Sequence, residues 1–203
     1  MRGRRDSGRF HGVVLAAGNG NRMGGPKALV LLGGRALLER HLERLHESGC
    51  TSVTAVVRPA DADAAYAIAR RLPFDVTLVA ATTPSQAASL ASAIGRLVLE
   101  DGDVVAITPV DLLPPRLATV RALEAALRSA LAATPSYHGQ GGHPALVRPE
   151  VLAPYVRGET PPLRDVLEAL GARRLRVEVD DAAVTGDFDR PDDLPRRPGA
   201  HAG

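Results

Sequence analysis

Two hydrophobic rhythms alternate along the chain. Residues 12–17 (GVVLAA), 53–57 (VTAVV), 75–80 (DVTLVA) and 103–108 (DVVAIT) are short apolar runs of the length and β-branched content of buried strands. Between them lie stretches with helical spacing. In residues 36–48 (ALLERHLERLHES), Leu37, Leu38, His41, Leu42 and Leu45 form one stripe, and Gly49 stops the helix. Helices are also predicted over 61–72, 86–99, about 115–132 and 163–170, and a last strand over 174–179. Two short extended segments fall around Ser136 to Val147. Strand and helix in alternation predict an α/β fold: a single-domain three-layer α/β/α sandwich around a mostly parallel, Rossmann-like sheet. Residues 134–162 carry several glycines and prolines, so this segment is expected to make an excursion over the sheet edge where a substrate could be gripped.

Length and composition narrow the classes. With 203 residues the chain suits one substantial domain. The expected domain covers 11–195, between a basic tail at 1–10 and a short tail at 196–203. Twenty-five basic against 23 acidic residues leave a net charge of +2, which gives no reason to expect nucleic acid as a partner. No apolar run approaches the roughly 18 residues of a membrane span. Cys50 is the single cysteine, so an intramolecular disulfide framework and a multi-cysteine metal site are both excluded. These features fit a cytoplasmic protein without a membrane partner.

The first apolar run breaks directly into a loop rich in glycine and cations, VVLAAGNGNRMGGPKALVLLGG (13–34). In an open parallel sheet, ligands settle outside the carboxyl ends of the strands, and the first strand-to-helix turn is a frequent phosphate site. Gly18, Gly20, Gly24 and Gly25 allow close backbone approach, exposed amides favour an anion, and Arg22 and Lys27 can grip different oxygens of one polyphosphate. Two better-known glycine loops do not fit. Gly20 and Gly24 enclose three residues where the dinucleotide fingerprint has two, and Pro26 separates Gly25 from Lys27 where the Walker loop joins glycine to lysine.

The loop Leu15-Ala16-Ala17-Gly18-Asn19-Gly20-Asn21-Arg22-Met23-Gly24-Gly25-Pro26-Lys27-Ala28-Leu29 resembles the signature of the MobA-like NTP transferases, the molybdenum cofactor nucleotidyltransferases, and most closely their cytidylyltransferase branch. The resemblance runs from about residue 12 to 195. It implies the nucleotide-diphospho-sugar transferase-like fold and a Mg²⁺-dependent enzyme that moves a nucleoside monophosphate, CMP in preference to GMP, from an NTP onto a phosphorylated acceptor such as molybdopterin. A molybdoenzyme is the implied protein partner. Leu15, Ala16, Ala17, Gly18, Gly20, Arg22 and Lys27 would bind the nucleotide, with Leu15 and Ala16 as the floor under the base.

The resemblance also assigns the metal. Asp111, in ITPVDLLP, matches the ligand position, although its proline follows three residues later rather than two. An N-cap of the next helix is the alternative for Asp111. In TGDFDRPDDL (185–194), Asp189 matches a second ligand and Asp187 is its neighbour. Ser89 and Leu90, in PSQAASLASAI, match the segment that approaches base or ribose, with Ser85 and Gln86 as weaker candidates. An N-capped crossover helix is the alternative there. In GQGGHPALV, Gly142 and His143 match the acceptor segment, against a purely structural turn. Arg22, Lys27 and Asp111 are thus the expected catalytic residues. Three other readings stay open: a sugar-phosphate acceptor, an NAD(P)H-dependent oxidoreductase of small aromatic substrates, and a non-catalytic nucleotide sensor.

Overall fold

The structure is a computed structural model and describes residues 8–18 and 25–186. Ten strands and six α-helices are present among those residues: β1 (Phe10–Ala16), β2 (Leu31–Leu32), β3 (Arg35–Ala36), α1 (Leu37–Glu47), β4 (Ser52–Val57), α2 (Ala62–Ala69), β5 (Val76–Ala80), α3 (Gln86–Ile94), β6 (Val104–Pro109), α4 (Leu117–Leu127), β7 (Ala132–Tyr137), β8 (Gln140–Gly141), β9 (Ala145–Val147), α5 (Ala153–Val156), α6 (Leu163–Ala169) and β10 (Arg174–Glu178). Apart from the small β2–β3 hairpin, the strands form one sheet in the order β10-β7-β9-β6-β1-β4-β5, with β8 added to β7. β4, β1 and β6 are parallel neighbours, β10 runs parallel to β7, and β9 lies antiparallel between β6 and β7.

Side-chain alternation along the strands divides the core between the two faces of the sheet. Val14, Ala16, Ala55, Val57, Ala106 and Leu146 pack with the apolar stripe of α1 and with α2 and α4. Val13, Leu15, Val105, Ile107, Ala145 and Val147 pack with α3, Tyr155 of α5 and Leu167 of α6. Helices therefore cover both faces, as the strand–helix alternation predicts. All five positions of the α1 stripe are buried, His41 included, and Gly49 ends the helix at a φ of 96°.

Two expectations need correction. The helix predicted over about 115–132 ends at Leu127, and Ala132 already belongs to β7. The segment 134–162 begins not as an excursion over the sheet edge but in its interior, because β7 and β9 sit between β6 and β10. The prolines and small residues that suggested a loop are accommodated by an interruption in pairing. Pro135 stands where the antiparallel partner of β7 changes from β9, opposite Ala132 and Ala133, to β8, opposite Ser136 and Tyr137. A residue without an N–H is tolerated at such a break.

Candidate active site

The chain leaves β1 for β4 and β5 on one side, then returns to place β6 on the other. This reversal makes the carboxyl ends of β1 and β6 a topological switch point, where an α/β sheet opens a crevice. The register pairs Leu15 with Pro109, and the Val110 amide donates to the Leu15 carbonyl at 3.0 Å, so the two strands end side by side. Ala17 and Gly18 extend from one and Asp111 from the other.

Lys27 reaches the same place by a separate route. Pro26 opens a 3-10 turn, closed by the Leu29 amide on the Pro26 carbonyl at 2.9 Å, and Ala28 anchors the turn in the core. The Lys27 Nζ lies 3.8 Å from Asp111 Oδ2, the ammonium mostly enclosed and the carboxylate more open. Asp111 does not cap α4, whose N-cap residue is Arg116. That function falls to Asp181, whose Oδ2 accepts from the Arg116 amide and the Thr119 hydroxyl, each at 2.7 Å. The turn bearing Asp111 is held from inside by His41, whose Nε2 donates to the Leu112 carbonyl at 2.8 Å. Burial pushes the His41 imidazole down to about 4, against the raising influence of that bond and of the Asp111 charge, so it is neutral near pH 7.

A cavity of about 580 Å³ opens beside this pair between α3, α6 and the β7–β9 region, with Leu15, Leu90, His143 and Arg174 in its wall. Ser85 and Gln86 reach it as well, and the Ser85 hydroxyl also accepts the Ala88 amide as the N-cap of α3. Ser89 lies behind the wall, with its hydroxyl bonded to Thr83 Oγ1 at 2.6 Å and to the Ser85 carbonyl at 3.3 Å. Ala16 faces the opposite core cluster, so of the proposed floor residues it is Leu15 that meets the cavity.

Gly142 and His143 line the cavity from the other side, ahead of a cis peptide bond to Pro144. A Cβ on Gly142 would stand 2.1 Å from the Val184 carbonyl oxygen, so glycine is required for the close crossing of these two segments. The His143 amide donates to that same carbonyl at 2.9 Å. Its ring Nδ1 is sealed from solvent and has no hydrogen-bond partner among the described residues. Desolvation lowers the His143 pKa, opposed by the Asp111 charge and a bond to the Ile107 backbone and assisted by Arg174.

Of the residues expected from sequence, Leu15, Ser85, Gln86, Leu90, Gly142 and His143 line the cavity, whereas Lys27 and Asp111 meet at the adjoining ends of β1 and β6, where Ala17 and Gly18 follow β1, and none of these four is among the lining residues. Gly20, Arg22, Asp187 and Asp189 lie outside the described residues. Sequence reasoning missed His41 as the support of the Asp111 turn, although a histidine inside an apolar helical stripe was a visible signal. It also missed Arg174 and Arg176, whose i, i+2 spacing on the last strand puts both on one face. Among the described residues, no group of three or more His, Cys, Asp or Glu gathers as a metal site.

Residues 12–182 match the MobA-like NTP transferase domain. The chain belongs to that family. A 2-C-methyl-D-erythritol 4-phosphate cytidylyltransferase from Frankia casuarinae is 34% identical over 198 residues, covering 88% of this chain and 68% of the relative. A molybdenum cofactor guanylyltransferase from Sinorhizobium fredii is 62% identical over 40 residues, only 20% of this chain and 18% of that protein's length. Among solved structures, the Rv0371c homolog from Mycobacterium sp. strain JC1 superposes with a TM-score of 0.75 at 27% identity, covering 91% of this chain and 92% of that one. The manganese complex of Rv0371c from Mycobacterium tuberculosis has a TM-score of 0.70 at 23% identity, with 91% and 95% covered. The MobA-like NTP transferase family and both curated relatives are nucleotidyltransferases, and nothing in them supports the oxidoreductase reading. No helix among the described residues is long and apolar enough to cross a membrane.

Proposed function

We propose that this MobA-like NTP transferase moves a nucleoside monophosphate, CMP in the first instance, from its triphosphate to a phosphorylated acceptor, with molybdopterin as the first candidate. A phosphate oxygen of the acceptor attacks the α-phosphorus, the bond from that phosphorus to the bridging oxygen breaks, and pyrophosphate leaves. The observation that carries this reading is the approach of Lys27 to Asp111 at the adjoining ends of β1 and β6, beside a cavity large enough for a second substrate. Such a reaction asks mainly for positioning and for neutralisation of charge on the phosphoryl oxygens. Lys27, with Arg22, supplies positive charge; the amides around Gly18 and Gly20 approach the phosphates; Leu15 and Leu90 meet the nucleoside, with Ser89 shaping the turn ahead of α3; Gly142 and His143 hold the acceptor.

The oxygen donor at Asp111 suits Mg²⁺, which keeps several waters and needs one or two carboxylates, and Asp189 is the proposed second ligand. When bound, the ion would offset charge on the phosphates. The occurrence of a manganese complex on the same fold agrees with a divalent-metal site. CMP is preferred because Ala16-Ala17-Gly18 resembles the cytidine-using branch and because the relative covering most of the chain is a cytidylyltransferase. That relative also makes methylerythritol phosphate the second acceptor to test. The deciding measurement is pyrophosphate release with CTP, GTP, ATP and UTP, with and without each acceptor. Release dependent on both a nucleotide and an acceptor is expected, and its absence across the panel would overturn the reading. Lys27→Ala and Asp111→Asn are each expected to lower turnover by about two orders of magnitude or more while circular dichroism stays unchanged. Wild-type rates in either variant would contradict the assigned roles.

A further inference from the structure

The cavity beside the Lys27–Asp111 pair changes character from one end to the other. Near β1 its wall is apolar, with Leu15, Ala87, Leu90 and Ala145; near β10 it is cationic, with Arg174 and Arg176, and Arg164 at the rim. Alternation along β10 puts Arg174 and Arg176 on the same face, turned toward the cavity. Charged residues on an edge strand serve to block pairing with other chains. That accounts for charge at the sheet rim but not for two guanidiniums in one concave wall.

Neither of these arginines forms an ion pair among the described residues. The single acid in the cavity wall, Glu168, is taken by Arg164 at 2.9 Å. Arg174 is oriented instead by a neutral group, with Nε and Nη2 both donating to Thr134 Oγ1 at 3.2 and 3.1 Å. Burial and then the neighbouring Arg176 charge hold its pKa below the ordinary guanidinium value, outweighing the opposing charge of Glu168, so one carboxylate faces three guanidiniums here. An oriented, partly desolvated guanidinium beside another is a site for a carboxylate or phosphate.

This cationic end is not the place of the attacking phosphate. β6, β9, β7 and β10 are successive neighbours, three steps or about 14 Å across the sheet, and the register sets Arg174 level with Val105, four residues or about 13 Å along the strand before β6 ends at Pro109. His143 lies between, within electrostatic reach of both Asp111 and Arg174. A ligand that occupied both ends would present two anionic groups with an apolar or planar body between them.

Building on the transferase reading above, we infer that Arg174 and Arg176 form an anion subsite for the far end of the acceptor. The substrate class is a two-ended molecule: an attacking phosphate beside Lys27 and Asp111, and a second carboxylate or phosphate roughly 10 to 15 Å away, once side-chain reach is allowed for, held by the two arginines. A simple sugar monophosphate lacks the second anion, as do the single-phosphate acceptors molybdopterin and methylerythritol phosphate named above, so the subsite adds a phosphorylated acceptor with a second carboxylate or phosphate to the candidates.

The test uses the full chain and a series of phosphonocarboxylates of increasing chain length, with methylphosphonate as the one-ended reference and binding measured by calorimetry. Affinity is expected to peak at an intermediate length, at least about tenfold tighter than methylphosphonate, because the second contact becomes intramolecular. Arg174→Gln/Arg176→Gln should reduce the peak to the level of methylphosphonate. Arg176→Gln alone, a change at an exposed residue without a side-chain hydrogen bond among those described, should remove most of it and guards against misfolding in the double variant. A flat series, or a peak that survives these substitutions, overturns the subsite. Pyrophosphate release is assayed separately: a length optimum without nucleotide transfer upholds the subsite and removes the transferase reading, whereas transfer with a flat series does the reverse.

Discussion

His41 shows how one side chain links core packing to the turn that bears Asp111. Its ring fills a position in the apolar stripe of α1, yet its Nε2 donates to the Leu112 carbonyl next to Asp111. Burial lowers its pKa from 6.5 to about 4, so between these values the unfolded chain binds a proton that the folded chain refuses. Stability is therefore full above about pH 6.5, falls as pH drops toward 4, and loses nothing further below it. The loss amounts to about 3 kcal/mol at one pKa unit per 1.36 kcal/mol. Urea midpoints measured from pH 7 to pH 4 should show this slope in the wild type and a shallower one in His41→Gln. Parallel curves would show that this imidazole does not titrate as described. Turnover of His41→Gln at pH 7 should fall less than that of Asp111→Asn, since the histidine acts through the backbone of the turn.

At the scale of elements, α4 begins without a cap from its own sequence and borrows one from Asp181, far along the chain. Replacing Asp181 by Ala should cost about 2 kcal/mol, the upper range for a lost cap, because the Arg116 amide and Thr119 hydroxyl lose a charged acceptor together. Chemical denaturation reads this directly, and Asp181→Asn should recover part of the loss. The borrowed cap also marks where sequence reasoning stops. α1, β4 and the parallel strands were legible because periodicity and local stop signals such as Gly49 are written into adjacent residues. The start of α4, the insertion of β7 and β9 into the sheet and the Arg174–Arg176 wall depend on partners dozens of residues away, which no window on the sequence contains. The Lys27–Asp111 pair was legible for a different reason: Lys27 belongs to a long signature and Asp111 to a short motif that this sequence keeps only in part, and their meeting required coordinates.

Across the whole molecule, the two ends of the sheet carry different kinds of polar structure. At the carboxyl ends of β1 and β6, Lys27 and Asp111 meet, while Arg174 and Arg176 of the cavity lie on the edge strand β10. At the amino ends, a closed network ties β1, β4 and the start of β6: His11 Nδ1 and Ser52 Oγ lie 2.7 Å apart, and His11 Nε2 lies 3.1 Å from Asp103 Oδ2. Asp103 also accepts the Arg9 amide at 2.6 Å and the Glu100 amide at 2.9 Å. Burial opposes its ionisation, but these amides and His11 outweigh that and keep its pKa below the usual carboxylate value. Asp103→Ala should therefore lower stability by about 3 kcal/mol, in the range for leaving buried polar partners uncompensated, while the KM of the folded fraction for nucleotide stays within about twofold. Thermal melts and initial rates on the same preparation separate the two effects. A large KM change would mean that the ends of the sheet are coupled.

The crossing of Gly142 beneath Val184 implies that the carboxyl-terminal part of the domain is a fastening rather than an appendage. One short stretch, 181–184, both seats the first turn of α4 and clasps the segment at Gly142 and His143. Trimming the protein back to residue 180 would undo a helix start and a cavity wall at once, so shortened versions made for convenience should be expected to lose stability and the shape of that cavity together.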